Sequence, residues 1–344
     1  MAYKRLLDPL TFFVTLIICF SLLGLWTLFS ATSNRNDSSQ AVDESYLRYF
    51  NQHYKIFALP LPENTEFCGE PVPLHKVDLR ERFDRELLIN TYWQSQGLLF
   101  LKKSARWFPL IEEILAEEGV PDDFKYLALI ESGLSNVVSP AGATGYWQIR
   151  KETGRELGLE INNEVDERYH VEKSTRAACK YLRQAKERFG SWTMAAASYN
   201  LGMYGLEKQV KRQKCHDYYD LLLVEETSRY LFRILAAKEI LSNPAKYGFH
   251  LRPSDLYAPY HTETVTVDGS VKDFALFAQE RGVNYKIIKV LNPWLRDNYL
   301  TNPQHKEYQI LLPADSAFGE SYAEWMEKSP DDIGGDSLIK VIAH

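Results

Sequence analysis

From about residue 79 to residue 250, apolar residues recur at three- and four-residue spacing and almost nothing alternates. That period restricts the stretch to packed helices, because side chains three or four apart share a helix face. Leu79, Phe83, Leu87 and the pair Leu88-Ile89 form the first stripe, among charges at helical spacing (80–82 and 84–86). It predicts a helix to about Lys103 and another from Phe108 to Glu118. Glu172 to Phe189 places Ala178, Tyr181, Leu182, Ala185 and Phe189 on one face. Trp192 to Tyr199 is short and alanine-rich, and Glu225 to Leu241 is the last strong segment. The one exception is a short hairpin expected near Gly142 to Ile149. This part of the chain is therefore expected to be mainly α.

Residues 261–313 change character. Thr262-Glu-Thr-Val-Thr-Val267 alternates and is β-branched, so it reads as a strand, and Asp268-Gly269 reads as a turn. Val271 to Arg281 and Tyr285 to Leu291 read as short helices, and Tyr308 to Pro313 as a closing strand. The expected unit is a small α+β domain of order βααβ.

Thr11 to Phe29 is an uncharged apolar run of 19 residues, just long enough to span a bilayer. Lys4 and Arg5 precede it, which places the N-terminus in the cytoplasm and the rest outside. A cleaved signal peptide is the rival reading. The run exceeds a usual signal core, and Ser-Ala-Thr-Ser after it is a poor cleavage site, which favours an uncleaved anchor. Cys19 lies within the run and reads as membrane-buried. The expected layout is 1–10 cytoplasmic, 11–29 anchor, 30–75 tether and surface-wrapping segment, 76–250 helical domain, 261–313 βααβ unit and 314–344 polar tail.

The net charge is −6, with no basic run or stripe, so nucleic acid is not an expected partner. Cys68, Cys179 and Cys215 have no metal-type spacing. Cys179, among alanines on a helix, suits a small core residue. A Cys179–Cys215 disulfide is compatible with an oxidising compartment. His170, His216 and His250 are isolated in sequence. There is no phosphate-binding loop or dinucleotide fingerprint, so no cofactor or metal is implied.

One helix ends on a carboxyl. In Pro121-Asp-Asp-Phe-Lys-Tyr-Leu-Ala-Leu-Ile-Glu131-Ser132-Gly133, Phe124, Leu127, Ala128 and Glu131 share a face. Pro121 and the two aspartates suit a helix start, and Gly133 its end. Burial and the negative helix end both disfavour the Glu131 anion, so its pKa should rise. A raised carboxyl suits a general acid. It also suits a core glutamate satisfied by hydrogen bonds, and the stripe alone does not choose.

Two further clusters come later in the chain: Ser139-Pro-Ala-Gly142-Ala-Thr-Gly145-Tyr-Trp147-Gln148-Ile149, then Ala195-Ala-Ala-Ser-Tyr199-Asn200-Leu-Gly202. Singly they could be turn residues and a helix end. With Glu131-Ser132 before them, their order resembles the motifs of the soluble lytic transglycosylase family, whose catalytic fold is like goose-type lysozyme. Glu226-Thr-Ser-Arg-Tyr230 resembles a further motif of that family. Tyr146-Trp147 replaces the usual Leu-Met, and Arg150-Lys-Glu-Thr153 the usual Met-Pro-x-Thr.

The resemblance implies that Glu131 is catalytic acid and then base. It implies that Ser139 lies near the N-acetyl group of the reacting sugar, and that Trp147 and Gln148 line the cleft. Tyr199 and Asn200 would position the substrate at the scissile bond, with Tyr230 a further cleft residue. Most glycosidases need two carboxylates flanking the bond. No second carboxyl is tied to these clusters; Glu152, Glu156, Glu164 and Asp166 read as a solvated face. A single acid suffices if the substrate supplies the other partner, which the acetamido group of N-acetylmuramic acid can do. The implied substrate is peptidoglycan, reached from the periplasmic side of a membrane. The 261–313 unit resembles LysM carbohydrate-binding modules, through Val267-Asp-Gly-Ser-Val271, Leu291-Asn292-Pro293 and Ile310-Leu-Leu-Pro313. The glycine usual before the last strand is missing, so a bracing role stays open beside glycan binding. A hydrolase of the same fold and a non-catalytic wall-binding protein are the competing readings.

Overall fold

The periodic stretch does fold as helices, but it divides at positions the stripe does not mark. The computed structural model describes residues 55–314, together with Glu44, Leu47, Arg48, Asn51 and Gln52. The apolar run at 11–29, the tether at 30–42 and the tail after residue 314 lie outside the described residues. Among the described residues, no helix is long and apolar enough to cross a membrane. The chain divides into two compact units at residues 58 and 59. In the first, Arg48 lies 4.0 Å from Glu44, one helical turn before it. The second, from Leu59 onward, holds the helical stretch and the βααβ unit.

A two-residue hairpin, β1 (Glu66–Phe67) with β2 (Glu70–Pro71), precedes the helices. Phe67, Val72 and Leu74 are buried in the main core, and Phe67 meets Phe124 edge-on at 5.2 Å. The segment expected to wrap the surface thus enters the interior. The first helix, α1 (Val77–Tyr92), stops well before Lys103. Trp93 breaks it with ψ near 62°, and α2 (Gln94–Glu117) restarts at once. Neither glycine nor proline marks that break, whereas Pro109 sits inside α2 without ending it. Proline removes one rung of the ladder, and packing on both sides of α2 outweighs that loss. Gly97 on α2 is where Phe249 docks: a Cβ there would lie 2.4 Å from the ring.

The remaining helices are α3 (Lys125–Ser132), α4 (Lys151–Leu157), α5 (Val171–Phe189), α6 (Trp192–Leu201), α7 (Met203–Gln213) and α8 (Glu225–Ser242). The long α8 runs through the middle, packing against α1, α3 and α6. It buries Tyr230, Leu231, Phe232, Ile234 and Leu235. Glu86 of α1 belongs to a run that looks like surface charge, yet it is only 1% exposed. It is held by Arg229 of α8 at 2.6 Å and Arg85 at 2.7 Å. A buried carboxylate persists only with such partners.

The chain then forms β3 (Thr262–Val267), α9 (Phe274–Gln279), α10 (Tyr285–Leu291) and β4 (Tyr308–Pro313). β3 and β4 pair antiparallel, from Thr262 opposite Pro313 to Val267 opposite Tyr308. α9 begins later than the sequence suggested because the Asp273 side chain accepts from the Ala275 amide at 2.6 Å and caps it there. This unit has its own core around Phe274, Ile288, Trp294 and Ile310, and Val165 of the helical part completes it. The two parts are stitched by backbone bonds, Asp166 N to Trp294 O at 2.9 Å and Arg296 N to Glu164 O at 2.7 Å. Glu164 and Asp166 are therefore seam residues, not a solvated face: Glu164 accepts from Thr301, and Asp166 is buried against Arg168 at 2.7 Å. Cys68, Cys179 and Cys215 are all free thiols, so the Cys179–Cys215 disulfide is not formed.

Candidate active site

A 3-10 turn, Asp122–Phe124, leads directly into α3. Phe124, Leu127 and Ala128 are completely buried, and that apolar face fixes the rotation of the helix. Glu131 is next on the same face. Gly133 ends the helix in the left-handed region, with φ of 58° and its amide bonded to Leu129 O at 2.8 Å. Lys125 at the start of α3 is buried rather than exposed, and is held by Glu112 at 2.6 Å and Asp122 at 2.5 Å.

Glu131 is only partly open to solvent. Burial raises its pKa above the usual carboxyl range. The Tyr230 hydroxyl, which donates to Glu131 Oε1, and the nearby Arg233 oppose that rise, while Glu226 adds to it. Tyr230, Glu226 and Arg233 all lie on α8, at spacings of four and three that put them on one face. The Tyr199 phenol is also pushed far up, first by burial and then by the charge of Glu131. Tyr199 thus lies within the electrostatic reach of the glutamate.

The loop after α3 is tied back to it. Ser132 Oγ donates to Tyr146 O at 2.8 Å. Ser139 Oγ accepts from the Ala143 amide at 3.0 Å, so this side chain closes its own turn. The expected hairpin appears as a pair of bridges, Val138 with Thr144 and Thr144 with Ile149. Gln148 has a positive φ of 48°, and its amide nitrogen donates to Gly145 O at 2.9 Å and Val137 O at 3.0 Å. Trp147 corrects an expectation: its indole is fully buried and donates to Thr175 Oγ1 at 2.8 Å, so the ring cannot line a cleft. Its backbone carbonyl, not its ring, faces the site and accepts the Tyr199 hydroxyl at 2.7 Å.

Tyr199 and Asn200 end α6. Glu70 caps the start of that helix, accepting from the amides of Trp192 and Thr193 at 2.7 and 2.8 Å. Asn200 accepts from Thr227 Oγ1 at 2.7 Å and donates to Glu226 Oε1 at 3.4 Å. The structure thus gathers Glu131, Tyr199, Asn200 and Tyr230 through α8, and holds Gln148 in the adjoining loop. Among the described residues, the hydrogen bonds of Ser139 go to its own turn and not to this group. Sequence reasoning missed Glu226 as a second carboxyl in the field of Glu131. The signal was its position four residues before Tyr230 on a helix.

Residues 109–222 match the transglycosylase SLT domain. Residues 263–316 match the soluble lytic transglycosylase C-terminal LysM-like domain. The chain is 30% identical over 208 residues to membrane-bound lytic murein transglycosylase D of Escherichia coli K12, covering 57% of this chain and 44% of the relative. It is 33% identical over 105 residues to a putative tributyltin chloride resistance protein of Alteromonas sp. M-1, covering 29% of this chain and 51% of that protein. The chain spans about half the length, or less, of these curated relatives. Glu131, Gln148 and Tyr199-Asn200 all fall inside the SLT match. Glu226 and Tyr230 lie just beyond it on α8.

Proposed function

We propose that this protein is a lytic transglycosylase cutting the β-1,4 bond between N-acetylmuramic acid and N-acetylglucosamine in peptidoglycan. The observation that carries the proposal is a single half-buried carboxyl, Glu131, with a raised pKa and a tyrosine hydroxyl on one oxygen, inside an SLT domain. Tyr230 donates to Oε1, so the acidic proton resides on the other oxygen, free to pass to a leaving group. Glu131 protonates the glycosidic oxygen as the bond breaks. The substrate's acetamido oxygen stabilises C1. The Glu131 carboxylate then takes the proton of the C6 hydroxyl as that oxygen bonds to C1, giving a 1,6-anhydro ring without adding water. Because one group serves as acid and then base, a pKa nearer neutrality than an ordinary carboxyl helps both steps. Asn200 and Tyr199 orient the sugar, and the loop carrying Gln148 borders it.

Glu226 favours a second reading, hydrolysis on the same fold, because inverting hydrolysis needs a carboxylate to activate water. Mass analysis of products from purified sacculi separates the two, since anhydro products are lighter by one water. Glu131→Gln should abolish both. Retained solubilisation of sacculi by that variant would refute the assignment of Glu131. For such a substrate the apolar run at 11–29 anchors the chain in the membrane, and the domains face the periplasm. Fractionation of cells expressing the full chain, with and without that run, tests the anchor.

A further inference from the structure

α1 and α2 meet at a corner that carries an open aromatic side chain. Trp93 stands at the break, with φ of −86° and ψ of 62°, and is 57% exposed. The other described tryptophans are packed: Trp147 and Trp294 are buried, and Trp107 and Trp192 are half-buried against neighbouring rings. Tryptophan gains more from burial than almost any other side chain, so leaving one open forgoes a large stabilisation. Ile89, one turn earlier on α1, is also exposed. The corner thus presents an apolar patch that folding alone does not use.

The corner adjoins the end of the helix that carries Glu131. Gln96 and Phe100 of α2 press on Gly133, two residues after Glu131. A Cβ on that glycine would lie 3.3 Å from Gln96 Nε2 and 3.3 Å from Phe100 Cε1. Lys103, next on the same face, donates to Gly133 O at 3.1 Å and to Ser135 Oγ at 2.6 Å. Residues 93, 96, 100 and 103 follow helical spacing, so one face of α2 runs from the open indole to the end of α3. The Gln96 carboxamide is half-buried, is not sealed from solvent, and has no hydrogen-bond partner among the described residues. It offers an N–H donor pair and an acceptor oxygen.

We infer that Trp93 and Gln96 form a subsite for one N-acetylated hexose of the strand that Glu131 cuts, away from the scissile bond. A polymer held at Glu131 must continue over the surfaces beside it, and the start of α2 is one of them. The apolar face of a pyranose can lie flat on the open indole. The Gln96 carboxamide can donate to and accept from an acetamido group or a hydroxyl. One helical turn, about 5.4 Å, separates the two along α2, which suits a single sugar unit. The identity of the ligand rests on the proposed function; the open ring and the free carboxamide beside Gly133 do not. Neither side chain touches the reacting atoms. Their contribution therefore belongs to KM and to the preference for long strands, with kcat little changed.

The test uses the full chain carrying Glu131→Gln, in detergent, titrated calorimetrically with the β-1,4-linked hexamer of N-acetylglucosamine. Adding Trp93→Ala should weaken binding about tenfold, and adding Gln96→Leu about fivefold. Trp93→Phe keeps the corner filled, so it reads the contact even if the alanine variant folds poorly. It should retain most of the affinity but lose most of the change in tryptophan emission that accompanies binding. In the active chain, Trp93→Ala should raise KM for long glycan strands about tenfold and leave kcat nearly unchanged. Unchanged hexamer affinity in Trp93→Ala, an emission change that survives in Trp93→Phe, or no hexamer binding by the parent overturns the inference. Hexamer binding that depends on Trp93, alongside wall cleavage retained by Glu131→Gln, would sink the activity proposal and leave the subsite standing.

Discussion

Gly142 and Gly145 form a matched pair in one loop. Both have left-handed backbones, with φ of +77° and +80°. A Cβ on Gly142 would meet nothing within 4 Å, whereas on Gly145 it would fall 2.0 Å from the Arg168 carbonyl oxygen and 2.9 Å from its carbon. Gly142→Ala therefore carries only conformational strain, ~1–2 kcal/mol, offset by ~0.4–1 kcal/mol from a less flexible unfolded chain. Gly145→Ala adds a clash with backbone that cannot easily retreat. Arg168 is fixed by Asp166 at 2.7 and 3.0 Å and donates to the carbonyls of Gly142 and Ile149 at 3.1 and 3.3 Å. Relieving the clash requires displacing the loop, at an added cost of about 2–3 kcal/mol, typical of overpacked sites. Urea denaturation of both full-length variants measures the difference. Equal stabilities, within about 0.5 kcal/mol, would refute the view that Arg168 pins this loop. Because the same loop carries Gln148 and the Trp147 carbonyl, Gly145→Ala should also lose more wall-cleaving activity than Gly142→Ala.

Glu131→Gln should stabilise the protein near pH 7 while removing activity. Below the ordinary carboxyl range both folded and unfolded chains are protonated; as pH rises the unfolded chain ionises first and stability is lost, and glutamine escapes this loss. A melting-temperature gain that persists unchanged at about pH 3 would contradict the sign. Tyr230→Phe removes a charge-assisted hydrogen bond worth ~1.5–3 kcal/mol, so the basic limb of the pH–activity profile should move up by about one pH unit or more. A limb that stays put would show that Tyr230 does not bear on the ionisation. Glu70→Gln should cost roughly 1 kcal/mol near neutral pH, the usual effect of weakening a helix cap. Burial opposes the Glu70 anion, but bonds from Thr193 and Trp192 outweigh it and lower its pKa, so the cost should fade as pH drops through that lowered range. Thermal melts at several pH values read this directly.

The sequence marked helices and strands where one face is buried along a regular period, because periodicity is a local property. It marked the end of α3 because only a glycine takes that left-handed turn cheaply. It did not mark the break at Trp93, which has no breaker residue, or the passage of Pro109 through α2. Both depend on what packs alongside. Charge was the least legible feature. Glu86, Lys125 and Asp166 look like surface residues in any local window, and are buried only because distant partners, or backbone bent toward them, satisfy them.

The same division holds at the site. The sequence alone determined that Glu131 lies on the buried face of a terminating helix, and that Tyr199-Asn200 ends another. Both come from helical geometry over a few residues. Only the tertiary structure decided that α8 brings Tyr230, Glu226 and Arg233 to that carboxyl, and that Trp147 contributes its carbonyl and not its ring. A pKa is set by burial and neighbouring charge, and these come from residues about a hundred positions away, which no local pattern encodes.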